Sequence, residues 1–119
     1  MTGLFNHPKR KLRKFIEDGE YEQAIQFANT IEEKFSKDPD FFFIMGSMYY
    51  ILQDEKKALH YIEKVLDIDE YDIEALSLKL RIYQFLKEDD KVIDCCKKIL
   101  KIDYENYEVK DILAQLEEI

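Results

Sequence analysis

The chain predicts an all-α protein built from tandem pairs of helices, and three observations carry that prediction. Helix breakers are scarce: the 119 residues include only 3 Gly and 2 Pro, while 37% are charged. Such a composition is rich in straight-chain residues that lose little freedom in a helix. Apolar residues recur three and four apart, the period of a helix with one buried face. The sequence also resembles itself at a shift of 34, which lays KKALHYIEKVLDID (56–69) over DKVIDCCKKILKID (90–103). Ala58 then falls on Val92, Leu59 on Ile93, Val65 on Ile99 and Asp69 on Asp103. Carried backwards, the shift places Ala24 on Ala58 and Ile31 on Val65, and it aligns Phe15, Tyr49 and Tyr83. A fixed period of this length marks a repeat array, whose units bury their apolar faces only against one another.

Each period divides into two helices. The first pair is expected at roughly 7–18 and 21–36, the second at 39–52 and 55–68, and the third at 72–86 and 89–102. A last helix, roughly 106–118, has no partner. The boundaries have their own chemistry. Asn6 or His7 precedes Pro8, and Asp38 precedes Pro39; a polar cap followed by proline in the first turn opens a helix. Gly19 stands between the first two helices as a C-terminal stop. The run DPDFFFIMGSMYY (38–50) is the most apolar in the chain. It shows no alternation and so is no strand, and it is too short to span a membrane. On a helix, Phe42, Met45 and Tyr49 point into the stack, while Phe43 and Tyr50 are left facing away from it.

The period, the helix–turn–helix unit and the phased residues together resemble the tetratricopeptide repeat. That pattern has a large residue, Leu-Gly three and four later, Tyr three after the Gly, Ala nine after the Tyr and Phe four after that. The stretch 39–72 matches it best, with Phe42, Met45-Gly46, Tyr49, Ala58, Ile62 and Val65. The stretch 5–38 offers Leu12, Phe15, Gly19, Tyr21, Ala24 and Ile31, and 73–106 offers Leu76, Leu80, Tyr83, Val92, Cys96 and Ile99. There are departures: Leu12 and Leu80 replace the small residue, Lys79 stands where leucine is usual, and no unit ends in Pro. The resemblance implies a single domain over 1–119, with repeats at 5–38, 39–72 and 73–106 and a capping helix at 107–119. It further implies a right-handed α-α superhelix. Gly46 would sit where the paired helices cross, close to Ala58. Glycine costs a helix about 1 kcal/mol relative to alanine, which closer packing of the pair would offset.

The composition and motifs argue against chemistry. Net charge is −8, yet residues 1–14 carry five bases and no acid, leaving 13 bases against 26 acids in the rest. A body of that sign repels phosphates, so nucleic acid is not an expected partner. No basic stretch is followed by the apolar core of a signal peptide, no apolar run reaches 18 residues, and a cytoplasmic location is expected without a membrane span. The two cysteines, Cys95 and Cys96, are adjacent; a bridge between helical neighbours is strained, so one core thiol and one half-exposed thiol are expected. His7 and His60 are isolated and read as solvated, and the three glycines form no phosphate loop. No catalytic residue, metal ligand set or cofactor is expected, and the chain reads as a non-enzyme.

What remains is surface. By the resemblance, the first helices of the repeats line a concave groove that binds a peptide or partner helix. Carried over by phase, that groove holds Lys9 and Arg13, then Phe43, Ser47 and Tyr50, then Leu78, Arg81 and Phe85. The resemblance does not extend to members that clamp the acidic tails of heat-shock chaperones: of the matching positions Lys9, Arg13, Ile44, Glu74 and Leu78, only Lys9 agrees. The expected function is a scaffold or adaptor whose partner seats an apolar or aromatic anchor on Phe43, Tyr50 and Phe85, with an acidic group near Lys9, Arg13 and Arg81. The basic run at 9–14 has other readings, as a solvated outer face or as a contact for RNA or anionic lipid. The alternative function is a homodimer formed through an apolar outer face of the last helix, which carries Val109, Ile112, Leu113 and Leu116.

Overall fold

Residues 7–117 are described by the computed structural model. They form seven α-helices: α1 (Pro8–Glu17), α2 (Tyr21–Ile31), α3 (Pro39–Ile51), α4 (Glu55–Ile68), α5 (Ile73–Leu86), α6 (Asp89–Ile102) and α7 (Tyr107–Glu117). No strand occurs among the described residues. Phe5 and Asn6 of the expected first unit and positions 118–119 of the expected last helix lie outside them. Neighbouring helices pair α1 with α2, α3 with α4 and α5 with α6, and α7 closes on α6. The pairs stack as a helical repeat superhelix, 58 × 25 × 21 Å with a radius of gyration of 16.1 Å. A compact chain of this length would have a radius near ~13–14 Å, so the molecule is drawn out along its stacking axis.

Side-chain oxygens cap four helices. Asp38 accepts from the N–H groups of Asp40 and Phe41, Asp54 from Lys57, Asp72 from Ala75 and Asn106 from Val109. His7 precedes Pro8 as expected but makes no side-chain cap hydrogen bond. The 34-residue period is written into the backbone at the other end of each first helix. Gly19 N–H donates to Ile16 C=O and Glu20 N–H to Phe15 C=O; Gln53 and Asp54 repeat this with Tyr50 and Tyr49, and Lys87 and Glu88 with Gln84 and Tyr83. Each pair of bonds closes a Schellman turn. The left-handed residue is Gly19 (φ 74°), Gln53 (φ 61°) or Lys87 (φ 58°).

α2 is shorter than expected, ending at Ile31 instead of near 36. Beyond it the bonds tighten, with Ser36 N–H donating to Glu33 C=O and Asp38 N–H to Phe35 C=O. The tightening turns Phe35 inward, where it stacks on Phe41 at 5.8 Å and 18°, and it delivers Asp38 to the start of α3.

The core follows the sequence phases. Leu12, Gly46 and Leu80 are buried on the first helices. Ala24, Ala58 and Val92 are buried opposite them, as are Ala28, Ile62 and Cys96. The close approach at Gly46 is to Ile62 more than to Ala58: a Cβ there would lie 2.8 Å from Ile62 Cδ1, 3.0 Å from its Cγ1 and 3.4 Å from the Ala58 carbonyl oxygen. The phases explain why glycine is dispensable elsewhere. Where Leu12 and Leu80 replace it, the positions equivalent to Ile62 hold the smaller Ala28 and Cys96, so volume is traded across the pair. Lys79, which departs from the family's leucine, keeps only 16% of its side chain exposed and reaches Glu63 of α4 at 2.8 Å.

The expectation for the cysteines changes. Cys95 and Cys96 are both buried free thiols, not one buried and one half-exposed. α6 is covered by α5 on one side and by α7 on the other, so side chains pointing ~100° apart both meet protein. On α7, Val109 is buried and Ile112, Leu113 and Leu116 pack against the same cluster as the two cysteines. Ile112, Leu113 and Leu116 remain partly exposed, and the exposed residues of α7 include Tyr107, Glu108, Lys110, Asp111 and Gln115.

Candidate functional site

The first helices α1, α3 and α5 lie side by side, and two clefts open where they meet. One, of ≈ 320 Å³, has walls of Ile16, Phe43, Ile44 and Met48, with Arg13, Glu17, Asp40, Ser47 and Glu74 as its polar groups. The other, of ≈ 260 Å³, lies at the C-terminal ends of α3 and α5 and is lined by Tyr50, Ile51, Gln53, Glu55 and Phe85. The residues expected on one groove thus divide: Arg13, Phe43 and Ser47 share the first cleft, and Tyr50 and Phe85 share the second. Tyr50 is 38% and Phe85 66% exposed. Leu78 is partly buried against the main core cluster, and Ile44 is core. Lys9 and Arg81 line neither cleft.

The basic end is already occupied. Lys9 Nζ lies 2.7 Å from an Asp38 carboxylate oxygen and 3.2 Å from one of Asp40. The hydrogen bond to Asp38 raises the Lys9 pKa against the opposing effect of burial, helped by Asp40. Burial works to raise Asp38 in turn, but the Lys9 ammonium and the N–H groups of Phe41 and Asp40 outweigh it and hold the carboxyl below its usual range. One guanidinium nitrogen of Arg13 donates to both carboxylate oxygens of Asp40 at 2.9 Å. Arg81 lies 3.5 Å from Glu108. All three cations expected to meet a partner's acid therefore face carboxylates of the chain itself.

These pairs form a pattern. Arg13, Ser47 and Arg81 share one phase of the 34-residue period, and Asp40, Glu74 and Glu108 share another. Arg13 reaches Asp40 in the next unit and Arg81 reaches Glu108, each across 27 residues. The middle step would join position 47 to Glu74, but position 47 is serine. No ion pair involving Glu74 or Glu17 is present among the described residues, and both line the first cleft beside Ser47. Glu17, Asp40 and Glu74 were not among the expected site residues. The signal for the last two was available in the shared phase of Asp40, Glu74 and Glu108.

Among the described residues, no three His, Cys, Asp or Glu side chains gather as a metal site, and no helix is long and apolar enough to cross a membrane. His7 and His60 are exposed, and the His60 ring stands edge-on to Tyr61 at 5.2 Å. Burial pushes the Cys95 thiol up to about 11 and raises Cys96 as well, the opposite of what a reactive nucleophile needs.

No curated protein gives a significant match to the chain. Residues 39–72 match the family model of the tetratricopeptide repeat, the span of α3, α4 and the turn that leads to α5. Repeats of this family generally mediate protein–protein interaction; with the helix pairs and the 34-residue period, the match supports a helical-repeat fold of the tetratricopeptide type.

Proposed function

We propose that the chain is a non-catalytic scaffold or adaptor that docks a protein or peptide on the face of α1, α3 and α5, with three repeats at 5–38, 39–72 and 73–106 and α7 as the cap. The observation that carries this reading is the pair of clefts on that face, whose apolar side chains Phe43, Tyr50 and Phe85 are left partly or largely uncovered. Aromatic side chains in concave sites supply large contact area at low entropic cost and are common binding hot spots. Phe43, Ser47 and Arg13 frame one anchor position, and Tyr50 and Phe85 the other. Leu78 and Arg81 flank them on α5, while Lys9 holds the N-terminal end of α3 in place through Asp38 and Asp40. Lys9, Arg13 and Arg81 each already face a carboxylate of the chain, so an apolar anchor is the main element of recognition. Cytoplasmic residence belongs to the same proposal.

The test is affinity capture from native cells with wild type and with the Tyr50→Ala/Phe85→Ala double variant. Both positions are exposed, so the double variant should fold. The proposal predicts specific partners retained by the wild type and lost by the double variant. Undiminished retention would overturn it.

A further inference from the structure

The ion pairs that tie successive first helices together are broken at one step, and the break coincides with the larger of the two clefts on that face. Arg13 meets Asp40 at 2.9 Å and Arg81 meets Glu108 at 3.5 Å. Between them, Ser47 occupies the arginine phase and leaves Glu74 without its cation. A serine side chain is about four heavy atoms shorter than arginine's, and the space it vacates is part of the ≈ 320 Å³ cleft. The walls of that space are Ile16, Phe43, Ile44 and Met48, and its polar groups are Arg13, Glu17, Asp40, Ser47 and Glu74. Arg13 is committed to Asp40. The remaining ionised groups, Glu17 and Glu74, are both acidic.

We propose that this cleft receives a cationic side chain, arginine or lysine, from a partner polypeptide, which pairs with Glu74 in the place of the arginine missing at position 47. An aliphatic stem suits the walls of Ile16, Phe43 and Met48, because long basic side chains bury their methylenes while the charged head stays at the polar end. The head meets Glu74, with Glu17 lending a second negative charge. Aspartate or glutamate on the partner is disfavoured, since both free ionised groups in the cleft would repel it. The inference rests on the docking function proposed above and adds the chemical class of the ligand. A fully solvated pair adds only a few tenths to about 1 kcal/mol, so recognition combines the cation with an apolar neighbour on Phe43.

The geometry has a consequence that needs no partner. In Ser47→Arg the chain supplies its own cation, and the new arginine closes onto Glu74 as Arg13 closes onto Asp40. Ser47→Arg is therefore expected to raise the melting temperature relative to wild type, and to lose that gain in the Ser47→Arg/Glu74→Gln double variant. The binding test selects a random peptide display library on wild type and counter-selects on Ser47→Arg, then remakes the enriched peptides with each arginine replaced by citrulline, its neutral isostere. The expected result is enrichment of Arg or Lys beside an aromatic or aliphatic residue. The citrulline forms and the Glu74→Gln protein should each weaken binding about fivefold. Enrichment of Asp or Glu, indifference to citrulline, or a Ser47→Arg gain that persists without Glu74 would overturn the inference while the docking function stands. Failure to recover any peptide sensitive to Ser47→Arg would remove docking in this cleft and the inference with it.

Discussion

Gly46 holds α3 against α4 at a distance that any side chain would disturb, and Gly46→Ala measures how much that closeness contributes. The added methyl carbon would stand 2.8 Å from Ile62 Cδ1 and 3.0 Å from Cγ1, with the Ala58 carbonyl oxygen behind at 3.4 Å. Ile62 is fully buried, so its side chain can yield only by displacing other core atoms, an overpacking cost of about 1–3 kcal/mol. Against this, alanine improves helix propensity by about 1 kcal/mol. The net expectation is a loss of about 0–2 kcal/mol. Ile62→Val alone should cost about 0.5–1.5 kcal/mol, but it deletes Cδ1, the atom that the new methyl would meet first. In the double variant the clash is largely gone and the propensity gain survives, so the double should be no less stable than Ile62→Val alone. Denaturant unfolding followed by far-UV circular dichroism and by tyrosine fluorescence gives the four stabilities of the cycle, with coincident curves required from the two probes. A favourable coupling of about 1–2 kcal/mol is expected. Additivity within about 0.5 kcal/mol, or a Gly46→Ala protein stabilised by the full propensity gain, would refute the close approach.

Other consequences can be checked with the same assays. Gln53 and Lys87 hold the left-handed turn position that Gly19 holds in the first pair, so Gln53→Gly and Lys87→Gly should each leave stability unchanged or raise it by up to about 1 kcal/mol, whereas Gly19→Ala should lower it. Asp38→Ala removes both the α3 cap and the Lys9 pair and should cost about 1–2 kcal/mol; Asp38→Asn keeps a capping oxygen and should cost less. Because the Asp38 carboxyl is held below its usual range in the fold, its contribution is complete above the unfolded value of about 4 and disappears as the pH falls through the lowered folded value. Asp38→Asn should flatten that part of the acid-stability profile. Glu63→Ala removes the carboxylate facing the partly buried Lys79 and should cost about 1 kcal/mol, while Lys79→Leu should be neutral or stabilising. The thiols of Cys95 and Cys96 should resist alkylation in the native protein and react at the rate of unfolding; rapid native labelling of either would contradict their burial.

Much of the fold was legible because the 34-residue period ties local pattern to tertiary position. Once Ala24, Ala58 and Val92 share a phase, one crossing is drawn three times, and the helix pairs and their order follow. What escaped depends on contacts between units. The early end of α2 goes with the packing of Phe35 on Phe41 in the next helix, and nothing within α2 signals it. The left-handed turns at Gln53 and Lys87 were hidden because neither is glycine, although both lie in phase with Gly19. The site was legible in its residue types more than in its arrangement. Phase placed Phe43, Ser47, Tyr50 and Phe85 on one side, but it did not divide them between two clefts. It also treated Lys9, Arg13 and Arg81 as available charges, where the stacking of units brings each to a carboxylate. The broken pairing at Ser47 spans two units, so no single repeat displays it, and it emerges only when the partner of each arginine is known.

Docking of partners on the face of α1, α3 and α5 can be tested in the cell. Its most direct measurement is site-specific photocrosslinking in native cells, with the photoreactive residue placed at Ser47 inside the cleft or at Gln26 on the exposed surface of α2. Docking on the first helices predicts discrete adducts from position 47 that disappear when Tyr50 and Phe85 are also changed to alanine, and none of those adducts from position 26. The same adducts from both positions, or adducts from position 26 alone, would contradict it.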